Sequence, residues 1–126
     1  MSKRAGVLLV SHVHEITEGL HSLLNQVAKD VTIKTAGGTE ENEVGTSFDK
    51  ISQALAEFEE DIVFAFYDLG SAKMNMEIAA ESVDKDIRLY DTAFLEGAYI
   101  AASLLQADVD LERIDEQLQP LIIKHK

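Results

Sequence analysis

The first apolar run of the chain, residues 6–10, stops at a serine and a histidine. Ser11 and His12 follow the run directly, and a helical pattern begins a few residues later. Histidine has an unperturbed pKa of about 6.5, so a neutral imidazole can act as a nucleophile near pH 7. Histidine also fills ordinary loops, so the neighbours that the fold gives His12 decide between the two roles.

Polar residues also follow the other apolar runs. The residues in question are Gly37, Gly38 and Thr39 after the second run, Asp68, Gly70 and Ser71 after the third, and Asp91, Thr92 and Glu96 after the fourth. The carboxyl ends of parallel strands meet at one edge of a sheet, so we expect these residues to gather there. A carboxylate that accepts a hydrogen bond from one ring nitrogen fixes the tautomer and exposes the other nitrogen. We expect Asp68 to orient His12 in this way.

Glycines and short hydroxyl residues at helix starts expose backbone N–H groups, and helix N-termini favour anions. The candidate ligands of phosphoryl oxygens are Ser11, Gly38, Thr39, Gly70 and Ser71. A histidine with an orienting carboxylate and an anion cradle indicates a phosphohistidine site, because phosphoryl transfer needs mainly positioning and charge stabilisation. We expect Nε2 of His12 to carry the phosphoryl group, since Asp68 or a backbone carbonyl would hold Nδ1–H.

Simpler interpretations exist for several of these residues. Asp68 could serve as a turn or cap residue, and the Gly-Gly pair could be only a turn. His14 and His21 fall on the first helical pattern, where solvated histidines are common, and His125 lies in the terminal tail. The sequence has no GxGxxG or GxxxxGK[ST] motif, so nothing favours a bound nucleotide. His12 and His14 are two residues apart, which does not suit a helical metal site, and we expect neither metal nor cofactor.

Composition narrows the function classes. The 126 residues include no cysteine, so thiolate chemistry and disulfides are excluded, and they carry a formal net charge of −12. Such an acidic surface repels nucleic acid and anionic lipid and favours encounter with a basic protein partner. No apolar run approaches the roughly 18 residues that a membrane span needs, and no signal peptide is evident. We expect a cytoplasmic protein in which residues 1–126 form one domain.

Apolar strand-like runs alternate with helical patterns along the chain. Strands are predicted at residues 6–10, 31–36, 61–67 and 87–90, and helices at 15–28, 46–58, 71–79, 93–106 and 110–123. Expected core positions are Ile16, Leu20, Leu23, Leu24 and Val27 in the first helix and Met74, Ile78 and Ala79 in the third. Thr46 or Ser47 should cap the second helix and Ser71 the third, while Pro120 should interrupt the last. This alternation predicts an α/β fold with a mainly parallel sheet and helices on both faces.

Four stretches carry a resemblance to a known family. Residues 6–20 (GVLLVSHVHEITEGL), 37–51 (GGTEENEVGTSFDKI), 68–81 (DLGSAKMNMEIAAE) and 94–105 (FLEGAYIAASLL) resemble the phosphotransfer subunit of bacterial phosphoenolpyruvate-dependent dihydroxyacetone kinase. That subunit is similar to the mannose-type enzyme IIA domain of the sugar phosphotransferase system. The resemblance covers nearly the whole chain and implies a flavodoxin-like three-layer α-β-α fold with strand order 2-1-3-4.

The resemblance also implies a function. His12 matches the family's phosphorylated histidine, and Asp68 matches its acidic neighbour. The histidine would accept a phosphoryl group from the histidine-containing phosphocarrier protein and pass it to ADP on the nucleotide-binding kinase subunit. The family forms homodimers, and the edge strand at 87–90 and the helix at 93–106 are the expected interface elements.

The chain departs from the family in three places: the loop after GGT, the residues before EGA, and His14 after Ser-His. These departures affect loops that would contact partners. Two alternatives therefore stay open, an enzyme IIA of a mannose-type sugar permease and a regulatory binding module. A receiver domain fits less well, because it needs an acidic cluster after the first strand.

Overall fold

The computed structural model describes residues 5–124, and His125 lies outside this range. The strands are β1 (Ala5–Ser11), β2 (Ile33–Gly37), β3 (Ile62–Tyr67) and β4 (Asp86–Tyr90). The helices are α1 (His14–Val27), α2 (Phe48–Glu57), α3 (Ser71–Glu81), α4 (Phe94–Gln106) and α5 (Leu111–Leu118), followed by a 3₁₀ turn at Gln119–Leu121. All strand pairs are parallel and the order is β2-β1-β3-β4, so the predicted fold class is confirmed.

Alternating side chains of the strands feed two separate cores. Val7, Leu9, Phe64 and Phe66 pack on one face with α1, α4 and α5. Leu8, Val10, Val63 and Ala65 pack on the other face with α2 and α3. Because β1 and β3 are buried on both faces, they read as continuous apolar runs in the sequence.

The predicted core face of α1 is partly wrong. Leu20 and Leu24 are buried, but Ile16, Leu23 and Val27 are 46%, 42% and 36% exposed. The helix instead turns the buried Thr17 inward, where a Cβ on Gly37 would lie 2.2 Å from the Thr17 Oγ1. The close approach of the helix to this glycine selects the face that carries Thr17.

The prediction for α3 is also partly wrong: Ala79 is buried as expected, but the other two residues are not. Met74 and Ile78 are 69% and 51% exposed, whereas Ala72, Met76 and Ala79 are buried. Ala72, Met76 and Ala79 pack in the core that also contains α2, so this face of α3, and not the face with Met74 and Ile78, is the inner one.

The structure confirms the predicted start of α2 and corrects the predicted start of α3 and end of α5. The Ser47 side chain caps α2 by accepting a hydrogen bond from the Lys50 amide, as expected. Ser71 does not cap α3: the N-cap position is Gly70, and Ser71 is the first helical residue. Pro120 lies in the 3₁₀ turn, so the last helix ends at Leu118 and does not reach the predicted residue 123.

Candidate functional site

The candidate site lies at the carboxyl ends of β1 and β3. These strands are neighbours, with Val10 opposite Tyr67, and the Asp68 amide donates to the Val10 carbonyl at 3.2 Å. The helix after β1 returns to β2, on one side of β1, while β3 lies on its other side. The residues that follow β1 and β3 therefore meet where the strand order reverses, which is where open α/β sheets bind ligands.

His12 and Asp68 meet at this edge. Nδ1 of His12 lies 2.9 Å from Oδ1 of Asp68, and the His12 backbone amide donates to Oδ2 of the same carboxylate at 3.0 Å. The two side chains are only 17% and 16% exposed. The carboxylate thus holds both the ring and the main chain of His12, which fixes the direction in which the ring points.

Two further donors complete the surroundings of Asp68. The Ser11 hydroxyl donates to Oδ2 at 2.8 Å, and the Leu69 amide donates to Oδ1 at 2.7 Å. Burial of the carboxyl raises its pKa, but hydrogen bonds from the His12 amide and ring, Ser11 and Leu69 outweigh burial and hold the Asp68 pKa below its usual range. Asp68 is therefore ionised at neutral pH and accepts the hydrogen bond from Nδ1–H, which leaves a lone pair on Nε2.

The second ring nitrogen of His12 faces the start of α3. Nε2 lies 2.6 Å from the Ser71 Oγ, so the hydroxyl donates to the free lone pair. The Ala72 and Lys73 amides bond to the carbonyls of Leu69 and Gly70. The amides of Gly70 and Ser71 have no acceptor among residues 5–124, as expected for the first turn of a helix. Free N–H groups beside Nε2 suit an anion.

Ser11 supports the site through two hydrogen bonds of its side chain. Besides its bond to Asp68, its Oγ accepts a hydrogen bond from the Val13 amide at 3.1 Å, and the residue is fully buried. Ser11 therefore orients the carboxylate and the start of α1. Its position supports Asp68 more directly than it supports a phosphoryl oxygen.

Gly38 and Thr39 lie in the adjacent loop, and their amides are already bonded. The Gly38 amide donates to the Ser11 carbonyl at 3.0 Å, and the Thr39 amide donates to the Glu43 carbonyl at 2.9 Å. The Gly45 amide donates to the His12 carbonyl at 2.8 Å. Gly38 has φ of 74°, a conformation that favours glycine. These backbone amides shape the loop around His12 and are not free to bind a phosphoryl oxygen.

His14 and His21, the other histidines in the described part of the chain, are not part of this hydrogen-bonded arrangement. His14 begins α1 and lines a surface pocket of about 230 Å³ with Gly37 and Lys50. His21 is half-buried further along the same helix. Within the described chain, no group of three or more histidine, aspartate or glutamate side chains is arranged to hold a metal ion.

Asp91, Lys73 and Lys124 form a group of charged residues near the site, and the sequence did not predict that they meet. Asp91 accepts hydrogen bonds from the Tyr67 hydroxyl at 2.5 Å and the Lys73 ammonium at 3.1 Å. Lys124 lies beside them and donates to the Tyr67 carbonyl at 2.5 Å. Asp91 was placed at this edge by its strand, but no sequence signal linked Lys124, close to the end of the chain, to the edge.

Asn75 contributes a second unforeseen contact. Its Nδ2 donates to the Thr46 Oγ1 at 2.9 Å, which ties α3 to the loop that follows β2. The loop after β2 is therefore tied to the helix whose first turn faces His12.

No helix among residues 5–124 is long and apolar enough to cross a bilayer.

Comparison with known proteins identifies the family. Residues 6–115 match the EIIA-man family, described as the PTS system fructose IIA component. The phosphotransferase subunit DhaM of a PTS-dependent dihydroxyacetone kinase from Lactococcus lactis is 42% identical over 119 residues, covering 94% of this chain and 97% of that protein. The phosphoryl donor subunit DhaM of PEP-dependent dihydroxyacetone kinase 1 from Listeria innocua is 44% identical over 124 residues, covering 98% and 100%.

A solved structure shares the fold of this chain over its whole length. A crystal structure of a protein of unknown function matches with a TM-score of 0.84 at 30% identity and covers 100% of this chain and 99% of its own. The resemblance noted in the sequence is thus confirmed over nearly its full length. The chain belongs to the EIIA-man family of phosphotransferase system components.

Proposed function

We propose that this protein is the phosphoryl-carrying subunit of a phosphoenolpyruvate-dependent dihydroxyacetone kinase, with His12 as the carrier. The observation that supports the proposal most strongly is the His12 ring, which is held at Nδ1 by Asp68 and meets Ser71 at Nε2. The names of the Lactococcus and Listeria relatives supply the reaction in which such a histidine would act.

In the first step, His12 takes the phosphoryl group from the histidine-containing phosphocarrier protein. The lone pair on Nε2 attacks phosphorus, the N–P bond of the donor breaks, and its imidazole leaves. Ser71 donates to Nε2 in the resting protein, so its hydroxyl must move aside and can then donate to a phosphoryl oxygen. The Nδ1–H stays on the ring, where Asp68 stabilises the positive charge that develops during transfer.

In the second step, the phosphoryl group moves to ADP bound on the nucleotide-binding kinase subunit. An oxygen of the ADP β-phosphate attacks phosphorus, the bond to Nε2 breaks, and ATP forms. The amides of Gly70 and Ser71 would hold the phosphoryl oxygens through both steps, while Ser11 orients Asp68 and Gly38 and Thr39 shape the loop. The protein itself then needs no cofactor and no metal.

The surroundings of His12 suit protein partners. Leu69, two residues before Ser71, is 60% exposed, and Val44 in the loop after β2 is 78% exposed. Exposed apolar side chains that lie close together often mark sites of protein–protein interaction. With a net charge of −12, the protein favours partners that are basic or rich in amide groups around their own sites, and it disfavours nucleic acid and membrane surfaces. In this proposal residues 1–126 act as one phosphotransfer domain in the cytoplasm.

A homodimer is part of the proposal. Strand β4 pairs only with β3 in the described chain, which leaves its outer edge open. Beside this edge lies a groove of about 640 Å³, lined in part by the exposed Met74 and Ile78 and by Ile87 and Leu89. An open edge next to exposed apolar side chains is a liability that pairing with a second copy removes.

Reconstitution of the kinase tests the proposed function. Purified enzyme I, phosphocarrier protein, this protein, the ADP-loaded nucleotide-binding subunit and the dihydroxyacetone-binding subunit are mixed with phosphoenolpyruvate. We expect dihydroxyacetone phosphate to form with the wild type and not with His12→Ala. A phosphorylated wild type that yields no product would instead indicate the sugar permease branch or a regulatory module, and an unphosphorylated wild type would exclude a phosphoryl carrier.

A further inference from the structure

The last residues that the structure describes, 122–124, lie beside the carboxyl end of β4, at the same end of the sheet as the candidate site. Ile122 forms an antiparallel bridge with Thr92, just after β4. The amides of Ile123 and Lys124 both donate to the Asp91 carbonyl, at 3.2 and 3.0 Å. Backbone hydrogen bonds therefore fix residues 122–124 against residues 91–93, just after the carboxyl end of β4.

The Lys124 side chain binds backbone carbonyl groups at this end of the sheet. Its ammonium donates to the carbonyls of Tyr67 at 2.5 Å and Thr92 at 2.6 Å, and it lies 4.3 Å from the centre of the Tyr67 ring. The first carbonyl belongs to the residue directly before Asp68. Lys124 thus fastens together the ends of β3 and β4 at the peptide that leads into the carboxylate of the site.

The charge of Lys124 is not cancelled by a direct ion pair. Lys73 is paired with Asp91 at 2.9 Å, and the Tyr67 hydroxyl also donates to Asp91. Among residues 5–124, Lys124 has no carboxylate within ion-pair distance, although Asp68 and Asp91 lie within electrostatic range of its ammonium. Burial lowers the pKa of the Lys124 ammonium, and the negative charges of Asp68 and Asp91 act against this shift.

We propose that Lys124 is a positioning residue for phosphoryl transfer at His12, which holds the peptide before Asp68 and offsets the negative charge that phosphorylation adds. The proposal rests on the proposed function. Phosphorylation places about two negative charges beside the Asp68 carboxylate, on a protein that is already strongly acidic. A cation in a partly buried position close to these charges lowers the free energy of the phosphorylated state more than an exposed one would.

Three variants separate charge from structure. Lys124→Met keeps the apolar stem and removes the charge, and Lys124→Arg restores a charge with N–H donors. Lys85→Met is the matched control, because Lys85 also donates to two backbone carbonyls, of Phe58 at 2.7 Å and Glu60 at 3.2 Å, but at the opposite end of the sheet. Circular dichroism and thermal unfolding check that each variant is folded.

The readout is the equilibrium between phosphorylated phosphocarrier protein and phosphorylated His12, followed by ³¹P NMR. We expect Lys124→Met to shift this equilibrium toward the phosphocarrier protein by about three- to tenfold, and Lys124→Arg to recover most of the loss. Lys85→Met should match the wild type. In ¹³C NMR titrations, the pKa of Asp68 should rise in Lys124→Met and stay unchanged in Lys85→Met.

Other outcomes overturn the proposal. A phosphorylated wild type with an unchanged equilibrium in Lys124→Met would refute the role of Lys124 and leave the carrier function standing. Equal losses in Lys124→Met and Lys85→Met, or no recovery in Lys124→Arg, would mean that only structural hydrogen bonds matter. A wild type that the phosphocarrier protein does not phosphorylate would refute the proposed function itself.

Discussion

Nδ1 of His12 lies 2.9 Å from Oδ1 of Asp68, although the two residues are 56 positions apart in the chain. The contact exists because β1 and β3 are adjacent parallel strands that end at the same level, with Val10 opposite Tyr67. The same carboxylate also accepts the His12 backbone amide and the Ser11 hydroxyl. One side chain therefore fixes the tautomer of His12, the orientation of its ring and the path of its backbone.

The substitution Asp68→Asn should slow phosphorylation of His12 while leaving the histidine in place. An amide is a weaker acceptor than a carboxylate and cannot accept the same set of hydrogen bonds through its nitrogen, so Nδ1–H is no longer enforced. We expect the phosphorylation rate to fall about 10- to 100-fold. Quenched-flow assays give the rate, and ¹⁵N NMR of the ring gives the tautomer. A wild-type rate with the wild-type tautomer would contradict this role.

Acid stability offers a second test of Asp68. Its pKa is lowered in the folded protein, so the unfolded state binds the proton first as the pH falls. The stability that Asp68 contributes is complete above its unfolded pKa of about 3.9, and is lost as the pH falls toward its folded pKa.

Urea unfolding of wild type and Asp68→Asn between pH 7 and pH 3 measures this contribution. At pH 7 we expect the variant to be less stable by about 1 to 3 kcal/mol. The difference should stay constant down to about pH 4 and shrink below it, because Asp68 then takes up a proton in the unfolded wild type. Asp91 and the other carboxyl groups are common to both proteins and cancel. A difference that is constant across this range would show that the Asp68 charge does not contribute.

The meeting of His12 and Asp68 could be predicted from the sequence because both residues directly follow apolar runs that can only be buried strands. The same reasoning placed Ser11, Gly70 and Ser71 at this end of the sheet. Lys124 could not be predicted in this way. It lies one residue beyond the predicted helix at 110–123, which contains the only proline, Pro120. Its contacts depend on a turn at Gln119–Leu121 that returns the chain to the sheet.

The faces of α1 and α3 show another limit of periodicity. In α1, the positions of Leu20 and Leu24 suit an inner face with either Ile16 or Thr17, and hydrophobicity favours Ile16. The structure buries Thr17 because Gly37 leaves room for it. In α3, Ala72, Met76 and Ala79 form the inner face, whereas Met74 and Ile78 stay exposed. In α1 the local shape, which depends on the distant Gly37, decides which face is buried.

Two glycine substitutions test the packing of the helix layer that carries α1 and α4. A Cβ on Gly97 would lie 2.0 Å from the Thr92 Oγ1 and 2.9 Å from the Thr92 Cβ, so Gly97→Ala should destabilise the protein by about 1 to 3 kcal/mol. Gly19 is an exposed helical position with nothing within 4 Å, so Gly19→Ala should stabilise it by about 0.5 to 1 kcal/mol. Urea unfolding measures both. Equal effects of the two substitutions would contradict the close contact at Thr92.

The proposed dimer is tested with two isoleucines of similar exposure. Ile78, 51% exposed on α3, lines the groove beside β4, whereas Ile16, 46% exposed, lies on the other face of the sheet. Light scattering after gel filtration should find a dimer for the wild type and for Ile16→Glu, and a monomer for Ile78→Glu, because the new charge would be buried in the interface. A monomeric wild type, or dissociation by Ile16→Glu, would contradict an interface at this edge.

Phosphorylation of His12 is the central claim, and one measurement tests it most directly. The protein is incubated with phosphoenolpyruvate, enzyme I and the phosphocarrier protein, and the product is analysed by mass spectrometry and by ³¹P NMR with ¹⁵N-labelled histidine. We predict one acid-labile, base-stable phosphoryl group on Nε2 of His12, absent in His12→Ala and retained in His14→Ala. Labelling that survives in His12→Ala, or a wild type that is never labelled, would contradict the account.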